Sequence, residues 1–155
     1  MADEQIYVAV IGASDASDEQ RDQARAAGRR LAELGAVVVT GGRGGVMQAA
    51  CEGAKAAGGQ TVGILPGLDR SDANAYVDVA LPTGLGELRD GLVARAADAV
   101  VAIGGAWGTL AEIAFARSAG KAVFGVGSWE LGDDGVVAAD NGDEAAERAV
   151  AAIRP

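Results

Sequence analysis

The 155-residue sequence predicts an α/β chain: a mainly parallel sheet covered on both faces by helices, a three-layer sandwich. Two observations predict it. Short apolar runs alternate with longer segments of helical period from end to end, and parallel neighbours require such crossovers. Glycine, 24 residues in all, gathers where those runs end, at turns from strand to helix.

Residues 6–12, IYVAVIG, read as a buried first strand. The segment 17–35 opens on Ser17 with Gln20 three positions on, a helix-capping pair, and stops at Gly35. Residues 36–40 (AVVVT) make a second strand, and 46–59 an alanine-rich helix ending in paired glycines. A third strand, QTVGILP at 60–66, is closed by Pro66. The connection 66–75 is the longest before the short strand within 74–82 and is a candidate mobile segment. A helix follows at 86–97, then DAVVAIG (98–104), the most continuously apolar strand. Residues 110–120 are helical, 121–127 a strand, 136–140 a last short strand, and 143–154 an amphipathic closing helix. No linker divides the chain, so one domain over 1–155 is expected.

Composition narrows the function. Net charge is −9, and the 13 basic residues are eleven arginines and two lysines, Lys55 and Lys121. That balance argues against a nucleic-acid surface, whose affinity comes from neutralising phosphates. An acidic, lysine-poor surface suits a high-salt cytoplasm, and a GC-rich genome gives a similar arginine bias. With no histidine and a single cysteine, Cys51, neither a disulfide nor a structural zinc site is expected. No apolar run approaches the ~20 residues of a membrane helix, and no leader is visible in MADEQ; a cytoplasmic chain away from membranes is expected.

Two turns carry unusual glycine density: TGGRGGVMQ (40–48) and IGGAWGTLAE (103–112). Each follows a strand and opens a helix, where free N–H groups and the helix dipole favour an anion. Neither is a G-x-x-x-x-G-K-[ST] loop, and the first strand gives IGASDAS in place of G-x-G-x-x-G. Triphosphate hydrolysis and a standard dinucleotide fingerprint are therefore not expected.

VAVIGAS, VVVTGGRGGVMQAACEGAKAAGGQTVGILPG and LRDGLVARAADAVVAIGGAWGTLAEI, in this order, resemble the superfamily of the LOG phosphoribohydrolases and the molybdenum-cofactor carrier proteins, formerly labelled lysine decarboxylases and more distantly similar to DprA. The resemblance covers about residues 6 to 127. It implies a Rossmann-like fold, a homodimer, no resident cofactor, and a nucleotide or pterin-phosphate ligand between the glycine turns. The family's enzymes cleave the N-glycosidic bond of nucleoside 5′-monophosphates. Gly41, Gly42, Gly45 and Met47 fall on the GGG-x-x-GLMG motif, and Gly104, Gly105, Gly108, Thr109 and Glu112 on PGG-x-GT-x-x-E. Arg89 falls on the enzymes' catalytic arginine. Arg43 and Gly44 within the first turn, Gly12 and Ser14 after the first strand, and Trp107 complete the expected ligand set. Two departures, Ile103 for proline and Asp90 for lysine, bring the chain closer to the carrier-like branch.

Several of these residues have two readings. Thr109 and Glu112 fit a helix capping box as well as a site carboxylate. Arg89 is a phosphate clamp, a holder of Glu112, or a solvated helix residue beside Leu85, Leu88 and Leu92. Arg43 is an anion contact or a loop charge; Trp107 stacks on a ring or packs on a loop or subunit. Met47 and Cys51, four apart, suit a core face, and Arg21, Arg25, Arg29 and Glu33 a weakly paired solvated stripe. Three functions follow: a nucleotide- or phosphate-ligand-binding protein, a phosphoribohydrolase acting through Glu112 and Arg89, and a non-catalytic interaction module.

Overall fold

The computed structural model describes residues 4–132 and 135–154; the first residues of MADEQ, on which the reading of its leader partly rests, lie outside them. Seven strands form one sheet in the order β4-β3-β2-β1-β5-β6-β7, with every neighbouring pair parallel. They are β1 (Tyr7–Gly12), β2 (Val37–Thr40), β3 (Thr61–Leu65), β4 (Val79–Pro82), β5 (Ala99–Ile103), β6 (Val123–Val126) and β7 (Val137–Ala138). The helices are α1 (Asp18–Glu33), α2 (Val46–Ala56), α3 (Arg89–Ala96), α4 (Trp107–Ser118) and α5 (Gly142–Ile153). This is the expected Rossmann-like α/β sandwich.

Strand residues alternate between two cores because successive side chains point to opposite faces. Val8, Val10, Val38, Val101 and Ile103 meet α1, α2 and α5 through Leu31, Val46 and Ala149. Ala9, Ile11, Val39, Val100 and Ala102 meet α3 and α4 through Val93, Ile113 and Ala116. Burial on both faces explains why β1 and β5 are written as unbroken apolar runs.

Small residues bring α1 unusually near its neighbours. A Cβ at Gly28 would overlap the Ala50 carbonyl of α2, and one at Gly53 the Arg25 carbonyl of α1. Gly142 of α5 stands in the same relation to Gln23. The capping pair at the start of α1 forms as expected: the Gln20 N–H donates to Ser17 Oγ at 3.1 Å, and the Ser17 N–H to Gln20 Oε1 at 3.0 Å. The expected arginine stripe includes half-exposed pairs that tie α1 to α2 and α5, Arg25–Glu52 and Arg29–Asp143; Arg30, outside that stripe, adds a further tie to Glu147 of α5.

Two expectations change. The helix expected at 110–120 begins at Trp107, with Ala106 as its N-cap and no side-chain capping bond. Thr109 is therefore the third helical residue, Glu112 lies in the second turn, and the capping box does not form. The glycine pair ends the strand early enough for the helix to start before threonine can cap it: Gly104 has φ +72°. The connection 66–75 is also not a featureless loop. It contains a turn of 3-10 helix, Arg70–Asp72, capped by Asp69. Asn74 fastens it to the first glycine turn, donating its N–H to the Gly42 carbonyl at 2.9 Å and its Nδ2 to the Arg43 carbonyl at 2.9 Å.

Candidate functional site

In an all-parallel sheet both glycine turns emerge at the same rim, where the carboxyl ends of the strands lie. Chain order reverses there at β1, which is paired with β2 on one side and β5 on the other. Crevices at such a switch point receive ligands in open α/β sheets. A cavity of about 440 Å³ occupies this place, a volume within the range of small-molecule sites. One wall is the turn after β1, with Gly12, Ser14 and Asp15; Met47 of α2 adds to it. Arg89 and Asp90 come from α3, and Gly108, Thr109 and Glu112 from α4.

The chemistry of the cavity lies in buried groups that the fold leaves unused. Glu112 is only 7% exposed, and no hydrogen bond to another described residue engages its carboxyl. Burial pushes that carboxyl up to about 8; nearby Asp90 adds to the rise and Arg89 opposes it. Thr109 is 2% exposed and its Oγ1 has no partner among the described residues; Arg89 Nε is likewise buried and unpaired among them. Buried polar groups are nearly always satisfied, so two on one cavity wall beside an unbonded carboxyl call for an explanation. Arg89 Nη1 approaches Asp90 Oδ1 at 3.3 Å, and burial raises the Asp90 carboxyl despite the opposing guanidinium. The start of α4 adds helix-terminal N–H groups that no side chain caps.

The structure thus brings Gly12, Ser14, Met47, Arg89, Gly108, Thr109 and Glu112 together. Met47 is 8% exposed in the core and also forms part of the cavity wall. The other expected residues lie behind or beside that wall. Gly41 makes room for Arg89: a Cβ there would overlap the guanidinium. Gly45, with φ +63°, lets its turn approach the Ala13 and Ser14 carbonyls. The Gly42 N–H is spent on Thr40 Oγ1 at 3.0 Å and the Gly104 N–H on the Val126 carbonyl at 3.0 Å. Those two amides are not free for an anion, a correction to the expected use of both turns. Gly44 borders open space near the Ser14 carbonyl, and Arg43 points away, 3.8 Å from Asp72 in the 66–75 connection.

Trp107 is 79% exposed and packs on a loop tryptophan, Trp129, with ring centroids 5.2 Å apart. Gly105 lies under this pair: a Cβ there would stand 3.1 Å from Trp129 Nε1. Trp129 donates that N–H to the Ala106 carbonyl at 3.2 Å. Sequence reasoning did not assign Asp15 or Asp90 to the site. Position after a central strand was the available signal for Asp15; for Asp90 it was the departure from lysine beside Arg89. No group of three or more potential metal-ligating side chains is found among the described residues.

The fold and cavity define a Rossmann-like protein with a small-molecule crevice at its switch point. The chain belongs to the SLOG cluster4 family, whose model matches residues 5–152. It is similar to the molybdenum cofactor binding protein of the phototrophic bacterium Rippkaea orientalis, with 32% identity and a TM-score of 0.90 over 97% of this chain and 98% of that one. The molybdenum cofactor carrier protein of Chlamydomonas reinhardtii is 32% identical, with a TM-score of 0.86 over 98% and 100% of the two chains. An uncharacterized protein of Archaeoglobus fulgidus is 39% identical over 118 residues, 76% of this chain and 78% of that protein. The fold alone is shared with DprA of Streptococcus pneumoniae, at 20% identity and a TM-score of 0.73 over 90% of this chain and 60% of that one.

Proposed function

We propose that this chain is a single-domain binding protein that holds a phosphate-bearing small molecule, a pterin phosphate or a nucleotide, in the β1–β5 crevice. The observation that carries this reading is the Glu112 carboxyl, unbonded among the described residues, in a switch-point cavity beside Arg89 and the uncapped start of α4. A ligand supplies the partners that the fold withholds. The molybdenum cofactor named for two of the similar proteins is a pterin phosphate and favours that ligand class. The uncapped start of α4 and the Arg89 guanidinium suit the phosphate. Nucleic acid is disfavoured by the net charge of −9. No helix among the described residues is long and apolar enough to cross a membrane, and a cytoplasmic setting fits the reading. The test is thermal shift with mononucleotides and pterin phosphates. A ligand at a hundred times its dissociation constant adds about 2.7 kcal/mol of stability. A melting point that no member of either class moves rejects the proposal.

One observation favours a second reading, a phosphoribohydrolase. A carboxyl at about 8 beside an arginine is poised near neutrality for proton transfer or for stabilising charge on a departing ribose. Release of free base from a nucleoside 5′-monophosphate, lost in Glu112→Gln with binding retained, would establish it. Absence of release across several monophosphates at low and high salt leaves binding alone.

The exposed face of α3 and α4 supports a homodimer. Leu88 (73% exposed), in the turn that leads into α3, together with Leu92, Trp107 and Phe115 makes an apolar surface that one protomer leaves uncovered.

A further inference from the structure

The cavity is better furnished for hydrogen-bond donors than for a second anion. Near Glu112 stand Arg89 and Asp90 from α3, two carboxyls to one guanidinium, while Asp15 lines the same cavity from the turn after β1. Thr109 and Glu112 are both nine-tenths or more buried, and neither Thr109 Oγ1 nor the Glu112 carboxyl has a hydrogen-bond partner among the described residues. Asp90 faces the same space across Gly108, where a Cβ would stand 3.7 Å from Asp90 Oδ2. A phosphate finds its backbone donors at the start of α4, a turn away from the Glu112 carboxyl. The two ends of the crevice therefore ask for different chemistry: an anion at the helix start, and a group rich in N–H at the carboxyls. A carboxylate pairs bidentately with two adjacent N–H donors in one plane, as it does with a guanidinium.

Resting on the ligand-binding reading above, we propose that Glu112 and Asp90 read the 2-amino-4-oxopyrimidine edge, whose ring N–H and exocyclic amino group are adjacent donors shared by pterins and guanine. Glu112 must accept both bonds and therefore binds as carboxylate. Its proton, held in the free protein because burial keeps the carboxyl at about 8, is then released to solvent on binding near pH 7. Arg89, whose Nε lacks a partner, balances the new charge. Asp90 takes the outer donor or holds Arg89, to which it is already close.

Matched ligand pairs that differ only in the amino group test this. Calorimetry compares guanosine with inosine monophosphate, and a pterin phosphate with its 2-oxo analogue, which separates the two sources of the edge. The amino-bearing member of at least one pair should bind about tenfold or more tightly, because its analogue leaves a buried acceptor unpaired. Titrations in buffers of different ionisation enthalpy should show close to one proton released. Glu112→Gln, which keeps the shape of the side chain, should abolish both the preference and the proton release. Asp90→Asn should weaken the preference without removing the proton release. Equal binding of both members of each pair, or binding with no proton released, overturns the inference and leaves the ligand-binding reading standing. No binding by any of the four also overturns the inference, and the ligand-binding reading then stands or falls on the wider thermal-shift panel. Melting curves of each variant confirm that it is folded.

Discussion

Glu112 was readable from sequence as one of two things, a helix cap or a site carboxylate, and a few residues of backbone decided between them. Because α4 starts at Trp107, the carboxyl falls in the second turn, out of reach of the helix's free amides and against the cavity. Spacing alone contains both outcomes, since a capping box and a motif glutamate are each three residues from a threonine. The buried carboxyl carries a pH signature. Its folded value, about 8, lies above the ordinary 4.5, so the native state holds a proton that the unfolded chain has lost. Stability is fully present below about pH 4.5 and is lost progressively as pH rises towards 8, by at most about 1.4 kcal/mol per pH unit. Asp90, also raised, acts in the same direction. Melting temperature measured without ligand should fall across that window, and Glu112→Gln should flatten the fall and melt higher at pH 8. An unchanged slope in the variant assigns the pH dependence elsewhere.

Among the elements, every expected strand and helix is present, and boundaries move where glycine sets the backbone. The helix expected over 86–97 starts with a turn of 3-10 helix, Gly86–Leu88, before α3 begins at Arg89. Periodicity could not show this, because Gly86 adopts φ +59° and breaks the helical path. Nor could it show that the first glycine turn mostly shapes the wall: Gly41 and Gly45 serve contacts with Arg89 and with the turn after β1, both remote in sequence. The glycines of the helix crossing can be tested directly. Gly53→Ala places a methyl against the α1 backbone and should cost about 1–3 kcal/mol as overpacking; a neutral melting point would mean that the two helices separate easily. On the far side, Leu88→Asp tests the apolar face of α3 and α4. Leu88 is 73% exposed in one protomer, so the change should leave the monomer's fold intact and shift sedimentation towards half the assembly mass. A wild-type protein that sediments as a monomer at all concentrations removes the dimer.

At the scale of the whole molecule, the parallel architecture was legible because β1 and β5 are apolar without interruption, which only a sheet covered on both faces requires. The crevice was legible as a rim, through the glycine turns, but its charge was not, since Asp15 and Asp90 are far apart in sequence and line one cavity only in the folded chain. The net charge of −9 makes the chain repel itself. Raising salt from about 0.1 M to about 1 M shortens the screening length from about 10 Å to about 3 Å, so the melting temperature should rise over that range with sodium chloride. A flat response would show that the ion pairs binding α1 to α2 and α5 already offset the repulsion. The chain has two tryptophans, and they touch each other beside the carbonyl of cavity-lining Ala106. Their paired indoles give the protein its own optical probe: excited at the red edge of indole absorption, which spares tyrosine, this corner should change its emission when the crevice is occupied, without any label.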